Sequence, residues 1–306
     1  MDIKHVTAED FEDSFGEDLS QAVREKIDSY EFAYRDLTSK EEDRLLIHIM
    51  EHISQPLVKA GSHREEQWQT GWDENRKDFL RTENTESLIP RYFGKFPYVR
   101  WKQKFIKPVN PNFEYQMAAV LQYWLFDKYF KKTNNIYEFG CGTGHNLLRT
   151  KSVNPDASIC GLDWVPASQH IISLINSKFD QNFDSHRFNF FDIDYDFSLK
   201  ENACAYTFAA LEQVGESCND FVEYLIRQNC DICVHIEPIA ELLDPENSFI
   251  DYLSVKYFKK RGYLYGLYNT LKKYEKDGRI EIIQAQRSYI GSQYIDGYSV
   301  VAWRNK

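Results

Sequence analysis

The chain has 306 residues, 42% hydrophobic and 27% charged, which is ordinary globular usage with enough apolar material for a sizeable core. A formal net charge of -10 argues against broad binding to nucleic acid or an anionic membrane, because phosphate recognition needs positive potential. No apolar run approaches the roughly 18 residues of a membrane-crossing helix, and the opening Met1-Asp-Ile-Lys-His leads into acidic residues rather than a signal-peptide core, so a cytoplasmic protein is expected.

In chain order, the acidic stretch 9–18 is expected to fray. Residues 17–55 place Leu19, Val23 and Ile27, then Leu45, Leu46, Ile49 and Ile53, at three- and four-residue spacings, which predicts helices. Trp68-Gln-Thr-Gly-Trp72 and its surroundings read as loop and helix, and no strand of period two is visible. Residues 91–107 then carry Arg91, Lys95, Arg100, Lys102, Lys104 and Lys107 without one acid, interleaved with Tyr92, Phe93, Phe96, Tyr98 and Trp101. This segment is either a solvated face or a recognition surface for an anionic acceptor. Asn110-Pro111 suits a helix N-cap and first turn. Beyond it Phe113, Met117, Val120, Leu121, Trp124 and Leu125 share one helical face, ending near 131–135.

From residue 136 strands and helices alternate. Strands are predicted at 136–140, 158–163, 186–192, 203–211 and 232–237, with helices from about 144, at 166–179 and at 220–228. A long helix or two covers 249–276, and 279–290 with 298–304 form a closing strand pair around Gly291 and Gly297. Such alternation implies an α/β fold: a mostly parallel sheet with helices on both faces. The expected division is a mainly helical N-terminal cap over 1–110 and an α/β domain over 111–306. The six cysteines, with Cys141, Cys160, Cys204 and Cys233 in or beside apolar strands, are expected to be buried thiols; Cys230 and Cys233 form a C-x-x-C that enters a strand and has no second pair.

The chemistry concentrates in Tyr137-Glu-Phe-Gly-Cys-Gly-Thr-Gly-His145. Gly140, Gly142 and Gly144 permit a tight turn and close approach to a ligand at a helix N-terminus. A dinucleotide fingerprint would need glycine at 145 or 147, where His145 and Leu147 stand, and no phosphate-loop Gly-Lys-Ser/Thr is present. Glu138 disfavours a polyphosphate and suits a cation. Glu138-x-Gly140-x-Gly142-x-Gly144 resembles motif I of the class I, Rossmann-like S-adenosylmethionine-dependent methyltransferases, over residues from about 110 to 305. The resemblance implies a seven-stranded sheet whose last strand is antiparallel. It also implies S-adenosylmethionine as cofactor, S-adenosylhomocysteine as product, Asp163 on the ribose hydroxyls and Asp192 on the adenine amino group. Trp164 and Phe191 would pack beside the base.

Motif I is silent about the acceptor. The Asp/Asn-Pro-Pro-Tyr/Phe signature for base amines and the double-glutamate loop of protein arginine methyltransferases are both absent. Glu212, His235 and Glu237 fall near the carboxyl ends of strands four and five. His235 is the preferred base for a hydroxyl acceptor, with Glu212 and Glu237 orienting it. His235 and Glu237 could instead join Glu212 in holding a divalent ion, or His235 could be a core residue. Lys256, Lys259, Lys260 and Arg261, with Tyr257, Tyr263, Tyr265 and Tyr268, are a second basic, aromatic group that either lines the acceptor site or packs a helix. The expected activity is O-methylation of a small molecule: a sugar, glycan precursor or specialised metabolite. N-methylation of a small amine, a protein or RNA methyltransferase and a non-catalytic cofactor-binding subunit are the alternatives. Nucleic acid is disfavoured by the charge.

Overall fold

A computed structural model describes residues 2–306. The first third holds β1 (Lys4–His5), α1 (Ala8–Phe15), α2 (Gln21–Asp28), β2 (Ala33–Asp36), α3 (Ser39–Ser54), α4 (Glu65–Thr82), β3 (Val99–Trp101) and β4 (Lys104–Pro108). Then come α5 (Phe113–Tyr129), β5 (Asn135–Phe139), α6 (His145–Val153), β6 (Ser158–Asp163), α7 (Pro166–Phe179), β7 (Asp184–Arg187) and β8 (Ala203–Phe208). The chain closes with α8 (Cys218–Arg227), β9 (Ile232–Glu237), α9 (Phe249–Arg261), α10 (Leu267–Lys276), β10 (Ile280–Gln286), β11 (Ile290–Gly291) and β12 (Ser299–Asn305).

Seven strands make one sheet in the order β10-β12-β9-β8-β5-β6-β7. Strands β5 to β9 pair in parallel, and β12 runs antiparallel to both β9 and β10. This is the Rossmann-like α/β sheet expected from the sequence, with only its last strand reversed. Side chains alternate between its faces. Ile136, Tyr206, Val234 and Ala302 pack with α5, α6 and α7 on one side, and Phe139, Ala205, Cys233 and Trp303 pack with α8 and α10 on the other. Both faces are covered, which is why these strands read as continuous apolar runs rather than alternating ones.

Gly161 shows how tightly the first face is packed. A Cβ there would lie 2.7 Å from Ile172 Cδ1 and 2.8 Å from Leu147 Cδ1, so the glycine lets α6 and α7 close onto β6.

The N-terminal third departs from expectation in three ways. Strands β1, β2, β4, β3 and β11 form a second, antiparallel sheet in that order. At two to five residues each, these strands are too short to show a period in sequence. The acidic start is a capped helix: Thr7 and Asp10 form a capping box on α1, whose first-turn acids suit the positive end of the helix dipole. Lys102 pairs with Asp10 and Asp13, and Arg91 with Glu74 and Asp78, so part of the basic segment 91–107 answers local acids. Arg100 is buried against Ser254 and the Ile250 carbonyl.

The helix predicted to be one-sided is buried nearly all round. Phe126 and Phe130 meet Tyr206 of the sheet, while the N-terminal segment covers the other side, with Phe32 against Phe113 at 5.5 Å and Phe15 stacked on Trp124 at 4.3 Å. Residues between Val6 and Ile106 therefore contribute to the same hydrophobic core as the sheet. Asn110-Pro111 sits one turn early: α5 begins at Phe113, and Asn110 Oδ1 accepts the Asn112 N–H. The span 249–276 is two helices, broken where Gly262 and Gly266 adopt left-handed conformations. All six cysteines are unpaired and buried. Among the described residues no helix is long and apolar enough to cross a membrane.

Replacing Gly161 by valine should destabilise the fold by about 1–3 kcal/mol in urea unfolding, the usual cost of overpacking. Unchanged stability would mean that the α6–β6–α7 contact is looser than described.

Candidate active site

The parallel sheet reverses its winding between β5 and β8, and the crevice beyond their carboxyl ends is where such sheets hold ligands. The glycine loop leaves β5 there. Gly140 takes a φ of +78°, and a Cβ on it would lie 2.3 Å from Ala210 Cβ, so the loop and the turn after β8 touch only because residue 140 has no side chain. Gly142, with φ +54°, lies under the Trp72 indole, which a Cβ would meet at 3.0 Å. Gly144, at φ +71°, forms the N-cap of α6.

The acid ending β6 organises this loop. Asp163 is buried, and its two carboxylate oxygens accept the N–H groups of Gly142 (2.9 Å) and Val165 (3.2 Å). Burial nevertheless raises its carboxyl to about 6, against the lowering effect of those hydrogen bonds. Trp164 and Phe191 stand beside it with ring centroids 5.7 Å apart. Asp163, Trp164, Phe190, Phe191 and Gly140 line one small cavity of about 60 Å³, closed in front by Trp68 and Trp72 of α4. Asp192 is exposed and lines neither this cavity nor the larger one beside it, because β7 ends at Arg187 and only the bridge between Asn189 and Asp192 follows.

Glu138 lies behind the loop rather than on the cavity wall. It is fully buried, accepting from Asn146 Nδ2 at 2.7 Å and Tyr206 Oη at 3.0 Å, and burial lifts its carboxyl to about 8. In this arrangement its role is to tie the strand before the loop to the helix after it.

The three residues offered for catalysis do not converge. His235 is a core residue, which corrects its assignment as the base. It is fully buried on the α8–α10 side of the sheet, and Trp303 Nε1–H donates to its Nε2 at 3.1 Å. An indole can only donate, so Nε2 carries the lone pair and Nδ1–H donates to Thr207 Oγ1, also at 3.1 Å. With both nitrogens engaged, the ring has no lone pair to offer the crevice or a metal, and burial depresses its pKa to about 3. Glu237 is likewise fully buried. It accepts the backbone N–H groups of Ala210 (3.0 Å), Leu211 (3.1 Å) and Glu212 (3.2 Å), and so holds the turn after β8 instead of touching an acceptor.

That turn presents Glu212 to a second cavity of about 530 Å³, which shares Trp68, Trp72, Ala209 and Gln213 with the first. Burial raises the Glu212 carboxyl to about 7. Glu114, from the first turn of α5, lines the same cavity, is raised to about 7 by burial and accepts from Tyr298 Oη at 3.0 Å. Tyr257, Tyr263 and Arg261 of the second basic group are also on its wall, whereas Lys256, Lys259 and Lys260 are not. From the segment 91–107, Arg91, Tyr92, Lys95 and Phe96 reach it.

Helix α4 supplies what sequence reading missed: Trp68 and Trp72 on it roof both cavities, and Arg64 just before it and Gln67 on it line the larger one. Gln69 fixes this roof by accepting the Ala167 N–H at the start of α7, and Glu65 pairs with Arg187. The available signal was the Trp68/Trp72 pair, whose four-residue spacing puts both indoles on one helix face.

No protein-family model matches the chain, and no curated protein matches it either. Among solved structures the similarities are at low identity and low TM-score. Human N-acetylserotonin methyltransferase in complex with SAM is 15% identical with a TM-score of 0.41, over 63% of this chain and 56% of that one. Magnesium protoporphyrin IX methyltransferase from Synechocystis PCC 6803 with bound SAH is 11% identical with a TM-score of 0.44, over 63% and 83%. Geranyl diphosphate methyltransferase in complex with SAM is 13% identical with a TM-score of 0.44, over 65% and 93%. This chain thus spans little more than half the length of the human protein.

If His235 is held neutral in the core, its folded-state pKa lies below its unfolded value of about 6.5. Its contribution to stability is then complete above about 6.5 and lost as pH falls toward 3. The stability difference between wild type and His235→Gln should fall by up to about 1.4 kcal/mol per pH unit between pH 6 and 4. A difference independent of pH would place the imidazole in solvent.

Proposed function

We propose that the chain is an S-adenosylmethionine-dependent methyltransferase acting on a hydroxyl of a small-molecule acceptor. The observation that carries this reading is the junction of the glycine loop, the buried Asp163 carboxylate and the Trp164/Phe191 pair, opening beside a larger cavity that Glu212 faces. The residues present suit the cofactor. Each Asp163 oxygen retains acceptor capacity for a ribose hydroxyl, the two rings offer apolar faces to a base, and the approach at Gly140 has no room for a Cβ. Asp192 follows Phe191 at the solvent edge, where the resemblance assigns it to the adenine amino group. Trp68 and Trp72 fill the front of this cradle, and about 60 Å³ falls short of the roughly 300 Å³ of ordinary ligand sites, so α4 turns its indoles aside when the nucleoside enters. Residues 1–110 then act as a cap on the reaction, and six unpaired cysteines suit a reducing cytoplasm.

The bound cofactor supplies a methyl group on a sulfonium, open to in-line attack. The protein's share is alignment and proton removal. Glu237 holds the turn that aims Glu212 into the acceptor cavity, and Glu212, with a carboxyl near 7, takes the acceptor's hydroxyl proton as the oxygen attacks. Tyr257, Tyr263 and Tyr298 provide flat walls with polar edges, suited to a specialised metabolite or to the apolar face of a sugar.

Asp163→Ala should abolish the calorimetric signal for S-adenosylhomocysteine, and retained affinity would remove the ribose assignment. With an acceptor found by screening metabolite pools with methyl-labelled cofactor, kcat/KM should rise with pH through about 7 as Glu212 ionises. Glu212→Gln should lower kcat by about 10²-fold or more without weakening cofactor binding. A wild-type rate in that variant would assign the proton to another group.

A further inference from the structure

Arg64 and Arg261 face the larger cavity from opposite parts of the chain, one before α4 and one at the end of α9. Arg64 is 8% exposed. Its Nε–H donates to Gln67 Oε1 at 3.1 Å and its Nη1 to Gln213 Oε1, both neutral acceptors. Arg261 donates from Nη1 to the Val58 carbonyl, and its Nε is buried without a partner. Each guanidinium lies over an aromatic ring, Arg64 over Trp68 at 5.3 Å and Arg261 over Tyr263 at 5.2 Å, which fixes the planes without neutralising the charge. Among the described residues neither arginine has a carboxylate within 4.0 Å, although this chain carries ten more acids than bases. Both cations line the same cavity, and the pKa of Arg64 is lowered first by burial and then by the charge of Arg261. Glu212 acts electrostatically on both, and burial disfavours its charged form. Two guanidinium groups on the wall of one cavity, neither in a salt bridge with a carboxylate, are costly unless a ligand supplies further negative charge.

We infer that Arg64 and Arg261 form a clamp for a carboxylate or phosphate group on the acceptor, so that the substrate class is an anionic, ring-bearing hydroxyl compound. This rests on the reading of the larger cavity as the acceptor site. The anion sits between the two guanidinium groups, which can present forked donors to it, while the Tyr257 and Tyr263 rings receive the body of the molecule. Glu212 stands beside the clamp, so the same ligand brings its hydroxyl to the base. The chemistry excludes a neutral sugar as the preferred acceptor and leaves the kind of anion to measurement.

The test uses benzoate and phenyl phosphate as probes and benzyl alcohol as the neutral counterpart, followed by quenching of tryptophan fluorescence with Trp68 and Trp72 on the wall. At least one anion should bind about tenfold or more tightly than benzyl alcohol, and which anion wins identifies the carboxylate or the phosphate. Arg64→Gln and Arg261→Gln should each weaken that anion about tenfold, and Arg64→Lys should recover part of the loss. Each variant is first matched to wild type in urea unfolding, and S-adenosylhomocysteine affinity should stay within about threefold in all of them. Benzyl alcohol binding as tightly as both anions, or glutamine variants that keep the anion preference, would overturn the clamp. A wild-type protein that binds the anion but not S-adenosylhomocysteine would overturn the methyltransferase reading and leave the clamp standing.

Discussion

The site depends on a buried carboxylate gripping a glycine turn. Asp163 would be expensive to bury alone, and its charge is made tolerable by two backbone N–H groups, one from Gly142 on the loop and one from Val165 on the following turn. Those bonds tie the end of β6 to the loop after β5 and fix the direction in which α6 and α7 depart. Behind the loop, Glu138 makes the same kind of connection through Asn146 and Tyr206. Two acids with raised pKa values thus hold the cradle from beneath and from the side, and Gly140 keeps its floor within contact of Ala210. The cost of desolvating these groups is spread over a small region, as expected where a ligand is to be received.

The same logic extends to the turn after β8. Glu237 is buried beneath it and accepts three consecutive backbone N–H groups, so Glu212 is presented by a turn with little freedom. The N-terminal third completes the enclosure. It shares the sheet's core, pins itself to α7 through Gln69, and lays Trp68, Trp72 and Arg64 over the carboxyl edge. The larger cavity is consequently built from distant stretches of chain, around residues 64–75, 91–96, 209–213, 257–263 and 292–298, with Glu114 between them. Its character is that of their combination: aromatic walls, two carboxyls near neutrality and cations on several sides.

The α/β architecture was legible because buried parallel strands and their helices leave strong local signals. The strands 158–163 and 232–237 and the helix 166–179 fall where the residues predict. The glycine loop and Asp163 were also legible, since a backbone that must turn left-handed and approach a neighbour can be read from residue type alone. The short N-terminal strands were not, because two to five residues carry no period and their pairing partners lie far along the chain, as with Ile290 and Trp101. His235 and Glu237 sit at the strand end that sequence assigned them, yet side-chain direction and hydrogen-bond partners decide their roles. Trp303, nearly seventy residues away, turns the histidine into a core residue. The roof was missed for a similar reason: the amphipathic pattern of α4 does not say which surface its tryptophans will cover.

On the function proposed above, the Asp163 junction receives a nucleoside carrying a sulfonium. A crystal structure grown with S-adenosylhomocysteine tests it most directly. The ribose hydroxyls should lie on the Asp163 carboxylate, the base against Trp164 and Phe191, and the Trp72 ring should be displaced from Gly142. A loop that stays closed under Trp72 at saturating ligand, or the compound lodged elsewhere, would contradict it.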